Sequence, residues 1–134
     1  MTTRILALYD RSPLGDLAVE TAFQFARGCD AAALVVLAVS GIPVEAKQRE
    51  VLHDDLLLFV HLGQRLGIAV DGEVIDAPNA ERLSLEMLRW RVDHAVIVEP
   101  AAKDGESAMQ RMRDLDAAAG ATGVTTIVVR EESP

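Results

Sequence analysis

Short, uniformly apolar runs alternate along the chain with longer segments in which apolar residues recur every three or four positions. A short apolar run is typical of a strand that is covered on both faces, and the longer spacing is typical of an amphipathic helix. Five runs predict strands, at residues 5–9, 33–39, 68–76, 94–98 and 124–129. The third run alternates apolar and polar residues in part, so we expect it to form an edge strand.

Amphipathic segments between these strands predict four helices, at residues 14–25, 44–66, 79–91 and 107–119. Gly28 is placed to end the first helix, as glycine commonly does. Ser107 and Gln110 have the spacing of a capping box, which predicts that the fourth helix opens there. We expect Gly120 and Gly123 to end that helix.

The alternation of strand and helix predicts one α/β domain, residues 1–130, followed by a polar tail at residues 131–134. Its doubly wound parallel sheet carries helices on both faces, joined by right-handed crossovers. In such sheets, ligands bind beyond the carboxyl ends of the strands, where the strand order reverses. The loops at this edge, with Arg130 after the last strand, are therefore the candidate site; they are residues 10–13, 40–43, 76–79 and 99–107.

The second predicted helix is apolar on more than one face. Residues 56–58 are three consecutive leucines, and Leu62 widens the apolar surface beyond what one packed face needs. A patch of this kind on a small domain is typical of an interface, so we expect a homo-oligomer, most simply a two-fold dimer. The alternative is burial of the patch beneath the 40–43 loop and the third strand.

Charge and cysteine content exclude some partners and compartments. The 134 residues include 13 Lys and Arg against 21 Asp and Glu, a net charge of −8, which disfavours binding to nucleic acid or to anionic membranes. Cys29 is the one cysteine, so an internal disulfide is excluded. The sequence carries no apolar run of about 20 residues and no secretory signal pattern. We expect a cytoplasmic protein.

Asp10 and Ser12 follow the first strand and are candidate ligand-binding residues. A carboxylate at this edge can accept hydrogen bonds from a ribose hydroxyl or an adenine amine, or it can bind a cation. The alternative is that Asp10 or Ser12 caps the first helix, since both residue types accept hydrogen bonds from helix N-termini. The residues themselves leave both interpretations open.

Residues 5–12, the end of the second strand at residues 37–39, and the closing residues 126–130 together resemble the universal stress protein family. The resemblance covers essentially the whole chain. It implies a sheet ordered 3-2-1-4-5 of the adenine nucleotide alpha hydrolase-like type, and a homodimer that often pairs fifth strands. It also implies that some members bind ATP or AMP. In those members the nucleotide contacts positions that correspond to Asp10 and to the backbone of Val39.

The sequence departs from this family after the fourth strand. Nucleotide-binding members carry a glycine loop of the form G-x-x-G-x(9)-G-S/T there, but residues 99–107 include a single glycine and three acids. A phosphate cradle needs backbone N–H groups at close approach, and Pro100 removes one of them. Lys103 is the one cation of this segment. We therefore predict a variant that lacks the nucleotide loop and does not bind ATP tightly.

Two other site types are less well supported by the residues. Asp10, Asp76 and Arg130 occupy strand ends as in the receiver domains of response regulators, but Arg11 would oppose a cation there and arginine replaces the lysine of those domains. The three histidines, at positions 53, 61 and 94, do not have metal-ligand spacing, and we expect no metal site.

These observations predict a non-enzymatic protein with a regulatory or protective role, which acts through protein association as a homodimer or with a protein partner. No resident cofactor is expected. The alternative is a stress protein that binds ATP or AMP through an altered phosphate loop, in which Asp10, Ser12, Val39 and Lys103 contact the ligand. A third possibility is a small hydrolase or transferase that uses Asp10 as a base, but the sequence supplies no partner for it.

Overall fold

Five parallel strands form one sheet within residues 2–40 and 45–130, the residues that a computed structural model of the chain describes. The strand order is β3-β2-β1-β4-β5, which confirms the predicted order and places β3 at an edge. The strands are β1 Thr3–Tyr9, β2 Ala32–Ser40, β3 Ala69–Asp76, β4 His94–Glu99 and β5 Thr125–Arg130.

Four α-helices and one 3₁₀ turn connect these strands in the described part of the chain. The helices are α1 Pro13–Arg27, α2 Ala46–Leu66, α3 Ala80–Arg89 and α4 Gly105–Thr122, and the 3₁₀ turn is Ala102–Asp104. The predicted loop at 40–43, the predicted helix start at 44 and the tail at 131–134 lie partly or wholly outside the described residues.

The core forms two layers, one on each face of the sheet. Ile5, Ala7 and Tyr9 of β1 face the layer built by α1 and α2. Leu6 and Leu8 of the same strand face the layer built by α3 and α4. Because successive side chains of a strand point to opposite faces, a strand buried on both sides must be apolar throughout. This explains the uninterrupted apolar run from which the sequence predicts β1.

The beginning of α4 differs from the prediction. The helix starts at Gly105, so Ser107 lies inside its first turn and is not its cap. The carboxylate Oδ2 of Asp104 accepts a hydrogen bond from the Ala101 N–H at 2.7 Å and closes the 3₁₀ turn that leads into the helix. The Gln110 side chain donates to Asp114 Oδ1 at 2.9 Å, one turn further along α4. The predicted capping box is therefore wrong.

The end of α4 is only half as predicted. Gly120 lies inside the helix and does not end it. A side chain at this position would meet open space. Gly123 ends it with a φ of +73°, a left-handed conformation that glycine adopts without steric cost.

Close packing of α2 on the sheet depends on Gly63. A Cβ atom at this position would overlap the carbonyl oxygen of Ile68 and a methyl group of Val70. The last turns of α2 can therefore lie directly against the start of β3 only because this residue has no side chain. In the described ranges, no helix has both the length and the apolar character needed to cross a bilayer.

Candidate functional site

A cavity of about 270 Å³ opens at the carboxyl ends of the strands, beside the β1–β4 junction where the strand order reverses. This is the position at which open α/β sheets bind ligands. Its apolar wall comes from strands on one side and from α4 on the other, and includes Leu8, Val39, Val96, Ala108, Met112 and Leu115. The lining also includes polar side chains; they are Asp10, Ser12, Asp104, Ser107 and Arg111.

Three of the four predicted ligand-binding residues line this cavity. Asp10, Ser12 and Val39 come together there, although the first two lie on the loop after β1 and Val39 lies on β2. Lys103 is not part of the lining; it lies exposed on the 3₁₀ turn, while the next residue, Asp104, reaches the cavity. Ligand contact by these four residues remains a prediction, since the structure contains no ligand.

Arg111 of α4 forms an ion pair with Asp10 through Nη1 and Oδ2. The other carboxylate oxygen, Oδ1, accepts hydrogen bonds from the backbone N–H of Ser12, at 3.0 Å, and from its hydroxyl. Both oxygens of Asp10 are therefore engaged by the protein, and the negative charge is matched by a guanidinium. Arg111 was not among the predicted site residues, although the sequence carries a signal for it: Ser107, Arg111 and Leu115 recur every four residues on one face of a predicted helix.

Ser12 caps α1, whereas Asp10 holds the loop between β1 and α1 in place. The Ser12 Oγ accepts a hydrogen bond from the Gly15 N–H at 3.2 Å and so caps α1. A Cβ atom on Gly15 would lie 2.8 Å from Asp10 Oδ1 and 2.9 Å from Asp10 N. Only glycine therefore lets the first turn of α1 close over the end of β1 and leave Asp10 at the cavity.

Asp55 of α2 fixes the end of β1 from the opposite side. Its Oδ2 accepts a hydrogen bond from the Tyr9 hydroxyl at 2.8 Å and lies 3.0 Å from Arg11 Nε. Burial, together with the hydrogen bond and negative charge of Asp55, raises the pKa of Tyr9 to about 12. Arg11 has a left-handed backbone, with a φ of 66°, and is held on the α2 side rather than in the cavity.

In the connection from β4 to α4, three backbone N–H groups donate hydrogen bonds to acceptors within the connection. The Ala101 N–H donates to Asp104 Oδ2 at 2.7 Å, and the Asp104 N–H donates to the Ala101 carbonyl at 3.0 Å. The Gly105 N–H donates to the Ala102 carbonyl, and Pro100 has no N–H to offer. These amides are therefore directed into the turn.

The residues that suggested a receiver domain are held apart by separate partners. Asp76 pairs with Arg49 and accepts a hydrogen bond from the Ser40 hydroxyl at 2.7 Å. Arg130 Nε lies 2.7 Å from Glu99 Oε2. Since Asp10 is paired with Arg111, the three strand ends do not form one cluster. Across residues 2–40 and 45–130, no three His, Cys, Asp or Glu side chains are grouped so that they could hold a metal ion.

The three histidines and Cys29 lie away from the cavity. His53 and His61 are exposed on α2. His94 is half-buried at the amino end of β4, with its ring centroid 5.1 Å from that of Phe25. The Cys29 thiol is half-buried and lies 3.5 Å from the Phe25 carbonyl oxygen.

Comparison with known proteins gives the fold. No protein-family profile and no curated protein sequence matches the chain. Among solved structures, a universal stress family protein from Burkholderia pseudomallei is 17% identical with a TM-score of 0.65, covering 95% of both chains. An Arabidopsis thaliana family member with AMP bound is 12% identical with a TM-score of 0.60, covering 98% of this chain and 93% of that one. A universal stress protein in complex with cAMP is 12% identical with a TM-score of 0.65, covering 95% and 96%.

The fold is therefore that of the universal stress proteins, as the sequence resemblance implied. The neighbours match over nearly their whole length, and the sheet has the strand order expected of that fold. At identities below one fifth, the likeness concerns the fold and not the site.

Proposed function

We propose that this chain is a non-enzymatic regulatory protein of the universal stress type, which acts through protein association and does not bind nucleoside triphosphates tightly. The observation that carries the proposal is the β4–α4 connection, whose amides at Ala101, Asp104 and Gly105 bond within the connection itself. A triphosphate that used these three amides would first have to break the bonds that they make within the connection.

The charges around the connection support the same conclusion. Of the three carboxylates in or beside the connection, Asp104 lines the cavity, whereas Glu99 and Glu106 pair with Arg130 and Arg113. The cation that lines the cavity, Arg111, is already paired with Asp10. A polyphosphate would therefore have to compete with a carboxylate for the guanidinium, at a cost that no free cation of the lining offsets.

The absence of enzymatic activity is supported by the chemistry of the cavity lining. The Asp10 carboxylate is paired with the Arg111 guanidinium, and the Ser12 hydroxyl that donates to Asp10 also accepts the Gly15 N–H as the cap of α1, so both side chains are held in structural contacts. The described lining includes no histidine, cysteine or lysine that could act as a second catalytic group.

A second candidate function is binding of a nucleoside or a nucleoside monophosphate, in a site with an altered phosphate loop. The volume of about 270 Å³, lined by Asp10, Ser12 and Val39, favours it. Two structural neighbours carry AMP and cAMP, which are both monophosphates. Lys103, exposed beside Asp104, is the candidate cation outside the cavity for this function.

Thermal unfolding with ATP, AMP and adenosine, each with Mg²⁺, tests both functions. A ligand at 100 times its dissociation constant stabilises the fold by about 2.7 kcal/mol, which is readily measured. We expect no such stabilisation by ATP at millimolar concentration. Micromolar affinity for ATP would refute the proposed function, and stabilisation by AMP alone would establish the second candidate.

The variant Asp10→Ala, with Asp30→Ala as control, identifies the binding site for any ligand found. Asp30 is an exposed acid between α1 and β2, at the amino edge of the sheet and therefore opposite the cavity, and its removal changes the net charge equally. Binding that is lost in Asp10→Ala and kept in Asp30→Ala places the ligand in the cavity. Equal affinity in both variants would remove Asp10 from the site.

A further inference from the structure

The cavity at the carboxyl edge of the sheet carries more negative than positive charge. Its described lining includes two carboxylates, Asp10 and Asp104, and one guanidinium, Arg111, which pairs with Asp10. Asp104 is half-buried and accepts the Ala101 N–H through Oδ2, but no cation of the described lining pairs with it. Because a nearby opposite charge stabilises an ionised carboxylate, this side of the cavity favours a bound cation.

The rest of the lining is largely apolar. Leu8 and Ile97 contribute to it from β1 and β4, and Met112 and Leu115 contribute to it from α4. An inorganic cation would leave this wall uncovered, and the described part of the chain groups no three His, Cys, Asp or Glu side chains that could hold one. The cation that suits the cavity is therefore organic, with an apolar body that removes the wall from water.

Polar and apolar residues follow the same order on both sides of the cavity. On the sheet side, Leu8 lies within β1 and Asp10 comes directly after the strand. On the helix side, Asp104 directly precedes α4, and Leu115 lies about three turns further along. Both leucines are buried, whereas both acids belong to the carboxyl edge, at which the cavity opens. A molecule with a charged head group and an apolar body matches this order.

We propose that the cavity binds a small primary amine with an apolar body. The ammonium group donates to the carboxylate of Asp104, the body lies against the apolar wall, and the ion pair between Asp10 and Arg111 stays in place. The volume of about 270 Å³ suits a short aliphatic chain or a single ring, because pockets for drug-sized molecules measure about 300–1,000 Å³. The inference rests on the proposed function in one respect, that no triphosphate occupies the cavity.

Three compounds with the same six-carbon chain test the charge of the head group. Hexylamine is a cation at pH 7, as the lysine side chain is, whereas hexan-1-ol is neutral and hexanoate is an anion. Isothermal titration calorimetry of the full chain measures each affinity. We expect hexylamine to saturate one site per chain with a dissociation constant below about 1 mM, and to bind about tenfold more tightly than hexan-1-ol. Hexanoate should bind more weakly than either.

The variant Asp104→Asn tests the carboxylate that receives the amine. Asparagine keeps a side-chain oxygen for the Ala101 N–H, so the turn before α4 is retained. Affinity for hexylamine should fall about tenfold, whereas affinity for hexan-1-ol should not change. The matched control is Glu106→Gln, which removes the same charge from an exposed side chain that pairs with Arg113 and does not line the cavity. This control should bind hexylamine as the wild type does.

The variant Ala108→Leu tests the location without changing any charge, and it serves as the decisive variant if Asp104→Asn does not fold. Ala108 lines the cavity, and a leucine there would fill the space that the six-carbon chain needs. The control is Ala117→Leu, an exposed position on the same helix outside the lining. Hexylamine and hexan-1-ol should each lose affinity about tenfold in Ala108→Leu and keep it in the control. Far-ultraviolet circular dichroism verifies that each variant folds.

Four results would overturn the proposal: no saturable binding of hexylamine, equal affinity for hexylamine and hexan-1-ol, tighter binding of hexanoate than of hexylamine, or full hexylamine affinity in folded Asp104→Asn or Ala108→Leu. Each of these results would leave the proposed function standing, since affinity for ATP decides that function and is measured separately. Micromolar affinity for ATP would refute the proposed function whether or not hexylamine binds.

Discussion

Glu86 is a carboxyl group enclosed between α3 and β3, with 4% of its surface exposed. Its oxygens accept hydrogen bonds from Trp90 Nε1 at 2.9 Å and Arg82 Nε at 3.2 Å. Burial, and then the hydrogen bond and charge of Glu73, raise the pKa of Glu86. Burial also acts to raise the pKa of Glu73, but bonds from Glu86 and Arg89 outweigh it and leave that pKa below its usual value.

Replacing Glu86 with glutamine should therefore change how stability depends on pH. A carboxyl whose pKa is raised by folding contributes stability when protonated, and loses it as pH rises through the folded-state pKa. Glu86→Gln keeps an acceptor for Trp90 and a donor toward Glu73 but cannot ionise. We expect its melting temperature to exceed that of the wild type near pH 7, with the difference shrinking toward about pH 4.

Melting curves across this pH range measure the effect, with Glu81→Gln as control. Glu81 lies on the same helix, but its side chain is exposed. The control should show no stability gain that grows with pH. A Glu86→Gln variant less stable than wild type at neutral pH would show that the ionised carboxylate is the favoured form.

At the scale of elements, two helical glycines with opposite surroundings give a matched test of packing. Gly63→Ala would force α2 away from the Ile68 carbonyl, and overpacking of this kind costs about 1–3 kcal/mol. Gly120→Ala meets open space on α4, so the higher helix propensity of alanine should stabilise the fold by up to about 1 kcal/mol. Urea unfolding measures both changes. Effects of the same sign would contradict the close approach of α2 to β3.

The elements were predictable from the sequence where one local pattern decides them. The apolar runs of β1 and β2 and the glycine that ends α4 act within a few residues, and the structure confirms these elements. Whether Asp10 or Ser12 caps α1 was left open by the sequence, and the structure shows that Ser12 does. The start of α4 was not predictable, because two rules competed there. The spacing of Ser107 and Gln110 favoured a capping box, but the Asp104 carboxylate bonded to Ala101 and began the helix earlier.

The candidate site was predictable only in part, for a different reason. The rule that ligands bind at the carboxyl edge of a parallel sheet predicted the edge at which Asp10 and Ser12 line the cavity, and the family resemblance added Val39. The ion pair between Asp10 and Arg111 joins residues 101 positions apart. The spacing of Ser107, Arg111 and Leu115 indicates the face of α4 that carries Arg111, but it does not specify the carboxylate with which Arg111 pairs. The pairing of Asp10 with Arg111 therefore became known only from the structure.

At the scale of the whole molecule, the two core layers share their central strands. Alternate residues of β1 belong to different layers, as do those of β2. Loss of packing in one layer therefore exposes one face of the same strands that support the other layer. This arrangement predicts a single cooperative unfolding transition.

Trp90, the one tryptophan of the chain, reports on the α3–α4 layer, whereas circular dichroism reports on both layers. We expect the two signals to give the same denaturation midpoint. The variant Phe59→Trp in a Trp90→Phe background moves the probe to the α1–α2 layer and should again match its own circular dichroism. An earlier fluorescence transition for either probe would reveal a layer that melts by itself.

The turn between β4 and α4 also bears on how readily this chain could be converted to other uses. Exchanging its acidic side chains for neutral ones would relieve repulsion, but the amides of Ala101 and Gly105 would need new orientations as well. The direction of a backbone N–H group depends on the path and the length of the segment, not on the identity of its side chains. Engineering a triphosphate receptor on this scaffold would consequently require grafting a longer, glycine-bearing loop, since single substitutions leave the path unchanged.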